Sequence, residues 1–494
     1  MAAARGRARA ADLAALAAGA VFPAGFAPLA WWPLAILAPA ALAQLARGAT
    51  PGRALLRGWL FGLGAFGVGV SWVWISIARY GNTGAATAWA ATAAFVALLA
   101  LFPALTAGLW RRLAPAGGVR AGLAFAALWA LAEWVRARLW AGFPWLEVGV
   151  AQVDGPLGGW LAVLGPYGTG GVALAGAAVF AAGVKKSDRW AGAALLAAAV
   201  AGGAVLGAVP WTRPAGPARS VAVVQGNIAQ DVKWAPEAVL PTLERYLGMS
   251  RPLWGTDLVV WPETAVPLFL DEVEAGFLDA LAAEAGAAGT TLVTGIPLRD
   301  APGGPYYNGV VVAGGGAGAV YRKRHLVPFG EYYPGRAWLG GLFRILDVPM
   351  SDFAPGPPDP APVAAAGMRL GITICYEIAF PALVHGDGGA ALLVNVSNDA
   401  WFGDSLAPHQ HLQIARARAR EAGRYLVRAT NTGVSAVIGP DGRVLARGPQ
   451  FAPAVVRAAV RPMAGRGPYA RLGDGPALAG LLGLVAAAAA RRRR

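Results

Sequence analysis

Before residue 211 the chain carries seven apolar runs, near residues 11–29, 31–46, 58–78, 85–109, 121–140, 157–184 and 190–209, and an eighth lies near 474–490. Each approaches the ~20 residues that a helix needs to cross the hydrocarbon core of a bilayer. Lipid offers no partner for backbone N–H and C=O groups, so such runs are confined to helices bundled against one another. Only a turn with Pro28 and Pro33 separates the first two, whose limits are the least defined. The 494 residues are 56% hydrophobic and 14% charged, with a mean hydropathy of +0.49. That is too apolar for an ordinary soluble protein and too rich in aliphatic and aromatic residues for a disordered one.

A net charge of +15 suggests nucleic acid until its distribution is read. Residues 219–471 hold 22 Lys and Arg against 21 Asp and Glu, so the excess sits in short loops and tails of the apolar part. With the N-terminus in the cytoplasm, the loops on that side carry 16 basic residues, among them Arg5, Arg47, Arg111, Lys185 and the arginines at 491–494. The opposite side carries only Arg79, Arg136, Arg138 and Arg213. This asymmetry orients the helices by the positive-inside rule. Both termini are then cytoplasmic and residues 212–471 lie outside. The expected division is a seven-helix membrane domain over 1–211, a soluble domain over 212–471, and a last helix with a basic tail over 472–494. A basic start followed by an Ala-rich run also fits a cleaved signal peptide, which leaves the large domain on the same side.

Within 212–471, β-branched or aliphatic runs bounded by Gly, Asn, Asp or Pro recur at 220–225, 257–261, 290–295, 310–312, 370–376, 392–396, 425–430 and 434–438. Helical patterns at 268–287 and 409–423 fall between them. An α/β layered domain is expected, large enough to bury a core of its own.

Two of these runs lead into reactive groups, and a segment after the β-rich stretch 309–312 offers a third. Arg369-Leu-Gly-Ile-Thr-Ile-Cys-Tyr-Glu377 ends in Cys375, the single cysteine of the chain, which can form no internal disulfide. Trp261-Pro-Glu-Thr264 delivers Glu263, and Tyr321-Arg-Lys-Arg-His-Leu-Val-Pro-Phe-Gly-Glu331 delivers Lys323. A thiol with an ordinary pKa of ~8.5 needs a base or a nearby cation before it attacks at neutral pH, and a carboxylate and an amine at neighbouring strand ends supply both. Taken singly, each has a plainer reading: a buried small hydrophobe for Cys375, a cap or ion pair for Glu263, a solvated basic cluster for Lys323.

The four histidines provide no metal set. His409 and His411, two apart in a helical pattern, point to different faces, and no further Cys or His completes a site. No Gly-x-Ser-x-Gly elbow and no phosphate loop occurs. In the apolar part, Glu133, Arg136 and Arg138 are the notable polar residues, either contacts for a phospholipid headgroup or a mutual ion pair.

Read together, Trp261-Pro-Glu-Thr264, Tyr321-x-Lys323-x-His-Leu and Cys375 with Glu377 resemble the Glu-Lys-Cys triad of the nitrilase, or carbon-nitrogen hydrolase, superfamily. Longer strings narrow the likeness: Val224-Gln-Gly-Asn227, Lys233-Trp234, Tyr307-Asn308, His325-Leu-Val-Pro-Phe-Gly-Glu331, Ser397-Asn-Asp-Ala-Trp-Phe-Gly403, Pro408-His-Gln-His411 and Thr430-Asn-Thr-Gly433. These resemble the apolipoprotein N-acyltransferases of the bacterial inner membrane, over the entire chain. The resemblance implies an eight-helix transmembrane bundle and an αββα sandwich in the periplasm. It implies transfer of an acyl chain from a phospholipid, typically phosphatidylethanolamine, to the N-terminal cysteine of a diacylglyceryl-modified apolipoprotein. Glu263 would be the base, Lys323 the oxyanion stabiliser and Cys375 the nucleophile, with Trp234, Asn308, Glu331, Tyr376 and Glu377 in support. No cofactor, metal or nucleic acid is implied, and a monomer is the default. The apolar stretch Trp338-Leu-Gly-Gly-Leu-Phe343 is a candidate lid at the membrane interface. A membrane-anchored amidase with the same triad, and a transporter with an outer ligand-binding domain, are the rival readings.

Overall fold

The computed structural model describes residues 2–81, 84–114, 117–314, 319–333, 352–385 and 389–490. The candidate lid at 338–343 and the arginines at 491–494 lie outside the described residues. The chain forms two compact units, one of Met1–Trp74, Gly84–Pro210 and Pro468–Arg494, the other of Ile75–Thr83 and Trp211–Gly467.

The first unit is helical. Its longer helices are Ala2–Val21, Trp32–Ala46, Pro51–Gly69, Ala85–Leu99, Leu101–Leu113, Val119–Arg136, Leu161–Ala182, Lys186–Ala208 and Gly475–Ala490. Among the described residues, three spans are long and apolar enough to cross a membrane: Ala85–Leu113, Pro156–Ala182 and Lys186–Ala208. Pro51–Gly69 with Val73–Tyr80 makes a fourth if that bent pair is one span. Small residues let these helices approach closely, which matters where lipid gives no hydrophobic drive for helix association. A Cβ on Gly122 would sit 2.3 Å from Val179 Cα, and one on Gly58 would sit 2.3 Å from Pro103 O.

The notable polar residues of this unit take separate partners and not the mutual ion pair, one of the two readings that the sequence offers. Glu133 Oε1 accepts from Trp129 Nε1 at 2.9 Å and from the Val148 amide at 3.0 Å. Arg136 donates to the carbonyls of Phe143 and Trp145, and Arg138 pairs with Asp474 at 2.5 Å. Asp12 draws in Arg57 and Arg53.

The second unit is built on strands β1 (Arg213–Pro214), β2 (Arg219–Gln225), β3 (Leu258–Val260), β4 (Thr291–Arg299), β5 (Tyr306–Ala313), β6 (Val320–Arg322), β7 (Val363–Ala365), β8 (Met368–Ile374), β9 (Leu392–Ser397), β10 (Leu426–Thr430), β11 (Ala436–Ile438), β12 (Val444–Arg447), β13 (Ala454–Val460) and β14 (Met463–Ala464). They form two six-stranded sheets, β13-β2-β3-β4-β5-β6 and β12-β11-β10-β9-β8-β7, with β1 and β14 paired apart. Each sheet has a parallel centre, β2-β3-β4 or β8-β9-β10, flanked by antiparallel strands.

Period-two alternation explains the layers. Val221 and Val223 of β2 join Ile372 and Ile374 of β8 and Val394 and Val396 of β9 in one core between the sheets. The intervening Ala222 and Val224 face outward and pack with Leu243 and Tyr246 of the helix Pro236–Ser250 and Leu281 of Asp279–Ala287. On the other sheet the outward positions include the polar Asn395 and Ser397 of β9 and Arg428 of β10, and the helix Ala407–Ala422 contributes His411 to the same buried network. The result is the expected αββα sandwich. The helical pattern at 268–287 is not one helix: Leu270–Val273 and Asp279–Ala287 are joined by a π-helical turn at Glu274–Leu278. The unit also takes in part of an early segment, where Ser76 Oγ donates to Trp401 O at 2.8 Å and the Tyr80 and Trp401 rings lie 4.9 Å apart.

Candidate active site

Parallel strands deliver their loops to one rim, and in open α/β sheets ligands bind at the carboxyl ends of such strands. Glu263 follows β3, Lys323 follows β6, Cys375 follows β8 and Asp399 follows β9. The turn that carries Glu263 folds hard against β4. A Cβ on Gly295 would fall 2.4 Å from Thr264 N and 2.5 Å from Pro262 O, so only glycine admits the approach.

Glu263, Lys323, Asn308 and Glu331 form one buried cluster. Lys323 Nζ lies 2.8 Å from Glu331 Oε1 and 3.4 Å from Glu263 Oε1. Asn308 Nδ2 donates to both carboxylates, at 2.7 Å to Glu263 Oε1 and 2.9 Å to Glu331 Oε1. Glu331 Oε2 in turn accepts the Val327 amide at 2.8 Å, which closes the loop that follows Lys323. Burial alone would lower the Lys323 pKa, but the charges of Glu331 and Glu263 outweigh it and hold the amine protonated.

Cys375 sits at the left-handed φ of +50°, rare for a residue with a side chain, at the start of a 3₁₀ turn Cys375–Ala379. Its thiol is buried and free. Burial, then the charge of Glu263, pushes the thiol pKa up, with Lys323 opposing. The resting group is therefore a thiol, and it needs a base to become a nucleophile.

Glu377 serves the frame. Fully buried, it accepts Tyr321 OH at 2.8 Å and the Ile374 amide at 2.7 Å on Oε2, and the Arg324 and His325 amides at 2.6 and 3.1 Å on Oε1. One carboxylate thus ties the end of β6, with Lys323, to the end of β8, with Cys375. Tyr376 lies in an aromatic group, edge-on to Phe380 at 5.0 Å and tilted against His325 at 5.8 Å between ring centres. Trp234 stands one contact removed, its ring 5.9 Å from Lys233 Nζ.

Several groups at this rim escape sequence reasoning. Lys233 is buried and donates to Glu263 O at 3.1 Å and to Thr264 Oγ1, behind the carboxylate. Burial lowers its pKa to about 8, with Glu263 raising it in part. His411, to which the sequence assigned no role, contacts Asp399 and the Cys375 carbonyl. His409 is half-buried within reach of the charges of Arg447 and Asp404. Among the described residues no cluster of three or more His, Cys, Asp or Glu could hold a metal ion. The signal for these groups was the strings around Lys233, 397–403 and 408–411, which resemble the family without saying what each residue does.

Two face-to-face sheets with a thiol, an amine and carboxylates converging at their strand ends define a carbon-nitrogen hydrolase domain, and residues 220–467 match the Carbon-nitrogen hydrolase family. Residues 18–179 match the Apolipoprotein N-acyltransferase N-terminal domain. The chain is 45% identical to the apolipoprotein N-acyltransferase of Methylococcus capsulatus over 98% of its own length and 96% of the relative's. It is also 45% identical to that of Azotobacter vinelandii, over 98% and 95%. Among solved structures it is similar to Saccharomyces cerevisiae Nit3, of the nitrilase superfamily, with 20% identity and a TM-score of 0.39 over 50% of this chain and 90% of that one. The chain belongs to the apolipoprotein N-acyltransferase family.

Proposed function

We propose that this chain moves an acyl group from a phospholipid, typically phosphatidylethanolamine, to the α-amino group of the N-terminal cysteine of a diacylglyceryl apolipoprotein, through a thioester on Cys375. The observation that carries the reading is Lys323, held protonated between Glu331 and Glu263 on a rim shared with a buried thiol that needs a base.

In the first half-reaction Glu263 takes the Cys375 proton as sulfur attacks the donor's ester carbonyl. Asn308 and Lys323 both bond Oε1, which leaves Oε2 for that proton. The developing oxyanion is met by Lys323, whose third hydrogen is not engaged by the two carboxylates, and by backbone N–H groups. The C–O bond breaks, and Glu263 returns its proton to the leaving lysophospholipid alcohol. In the second half-reaction the acceptor amine, with a pKa of ~7.7–8.0, is partly neutral and attacks the thioester, again with Glu263 as base. Sulfur leaves and recovers the proton. Asn308, Glu331 and Glu377 hold these groups in place, and Trp234 and Tyr376 supply aromatic surface beside them.

The eight apolar runs are taken as eight crossings, over 1–211 and 472–494, and the distribution of basic loops supports cytoplasmic termini with 212–471 on the opposite side. The family likeness makes that side the periplasm and the membrane the bacterial inner membrane. Each buried methylene of an acyl chain is worth ~0.8 kcal/mol, so both substrates stay at the bilayer, where a membrane-held site meets them. The enzyme works as a monomer in this reading. Incubation with phosphatidylethanolamine and a synthetic diacylated lipopeptide tests it: the lipopeptide gains one acyl group at its amine as an equal amount of lysophospholipid appears. Release of free fatty acid with an unmodified lipopeptide would favour a hydrolase instead.

A further inference from the structure

His411 lies on the helix Ala407–Ala422, outside the sheet that carries Cys375, and reaches the nucleophile from behind. Its Nε2 lies 3.2 Å from the Cys375 carbonyl oxygen. Nδ1 lies 3.0 Å from Asp399 Oδ1 and 2.9 Å from Arg428 Nη2. Asp399 is fixed in turn by Ser397 Oγ at 2.9 Å and Arg428 Nη2 at 2.8 Å, and Arg428 also bonds Asn395. His411, Asp399, Arg428, Ser397 and Asn395 are each no more than 1% exposed.

Two features of this set go beyond holding a sheet together. A buried charged network is often no more stabilising than apolar residues of the same volume, so stability alone gives it little reason to be polar. What the polar set adds is one directed donor, delivered to the backbone at the strained residue of the site. At φ +50° the Cys375 carbonyl has left the β8 ladder and requires a new partner. A carbonyl oxygen only accepts, so this bond needs the hydrogen on Nε2, either in the neutral Nε2–H tautomer, with Nδ1 accepting from Arg428, or in the imidazolium, with Nδ1 donating to Asp399.

We propose that His411, set by Asp399 and Arg428, is a positioning residue for acylation: it pins the Cys375–Tyr376 peptide so that the thiol keeps its aim at a bound acyl carbonyl. Because that peptide is planar, fixing its C=O also fixes the direction of the Tyr376 N–H. His411 touches no substrate and moves no proton in this account. The inference rests on the thioester reading above.

The test compares full-length His411→Leu, which keeps bulk without a donor, with His411→Gln, which keeps an N–H at similar reach. Acylation of Cys375 by phospholipid is followed by intact mass, and alkylation of the same thiol by iodoacetamide is followed in parallel. Alkylation forms no tetrahedral intermediate and has no bound substrate to aim at. His411→Leu is expected to acylate about 10²-fold more slowly, as misplacement of reacting groups by an ångström costs. Its KM and its alkylation rate should stay near wild type, and His411→Gln should recover most of the acylation. If His411→Leu does not fold, His411→Gln and His411→Asn carry the comparison: the longer amide should acylate well and the shorter poorly, at equal alkylation. Wild-type acylation rates in the donor-less variant, or acylation and alkylation falling together, would overturn the inference. Absence of any adduct on the wild-type enzyme would instead sink the thioester reading itself.

Discussion

Lys323 is bonded more closely to Glu331, at 2.8 Å, than to Glu263, at 3.4 Å. The distinction sorts two carboxylates that look alike in sequence. Glu331 anchors the ammonium, and Glu263 stays less tightly paired and so remains the better proton acceptor. Removing the charge of Glu331 turns the ammonium wholly toward Glu263 and weakens it as a base. Glu331→Gln is therefore expected to slow acylation of Cys375 by about 10²-fold, the scale of a lost general base. Single-turnover kinetics should find the phospholipid KM little changed; a loss confined to KM would mean that Glu331 binds substrate instead.

Glu377 offers a sharper structural test. Both its oxygens accept two hydrogens, so Glu377→Gln must turn an N–H₂ toward donors on at least one side. Leaving buried donors unsatisfied costs about 1–3 kcal/mol each. Thermal unfolding in detergent should show a lower Tm together with strongly reduced acylation, since the strand ends carrying Lys323 and Cys375 lose their tie. An active variant with unaltered Tm would show that the tie is dispensable.

Lys233 predicts a pH dependence. Its folded pKa of about 8, lowered by burial, lies below the ~10.4 of an unfolded lysine. Between those values the unfolded chain binds more protons than the folded one, so this residue's contribution to stability rises with pH across the window. Below it both states are protonated and the cost of the buried charge, roughly 3 kcal/mol, is carried in full. Tm measured against pH for wild type and Lys233→Met should therefore shift in favour of wild type from about pH 8 to about pH 10. Parallel curves would contradict the assignment.

Cys375 and Glu263 were legible because each ends a β-branched or aliphatic run, and strand ends gather where parallel strands pack; Lys323 was legible from its basic string and the Pro/Gly-containing segment that follows it. The αββα layering followed from the family likeness, and the alternation in β2, β8 and β9 bears it out. Short edge strands such as β6, β7 and β12, of three or four residues, escaped because so few residues carry no usable period. The partner of Arg138 escaped for another reason: Asp474 lies 336 residues away, and no local pattern connects them. His411 is the instructive miss. Its helix could be read and a metal role set aside, but periodicity gives a face and not the strand beneath it, so the bond to the Cys375 carbonyl had no signal. In the helical unit, the eight apolar runs were plain, while only three spans, or four with a bent pair, meet the length and apolarity of a crossing among the described residues.

The central claim is that Cys375 becomes acylated by phospholipid and then surrenders the acyl group to an amine. Intact mass spectrometry of the enzyme incubated with phosphatidylethanolamine alone measures this directly. The account predicts a single-acyl mass increase, located on Cys375, absent in Cys375→Ala and discharged when a diacylated lipopeptide is added. An adduct that never forms, or one that is lost to water at the same rate with and without the lipopeptide, would contradict it.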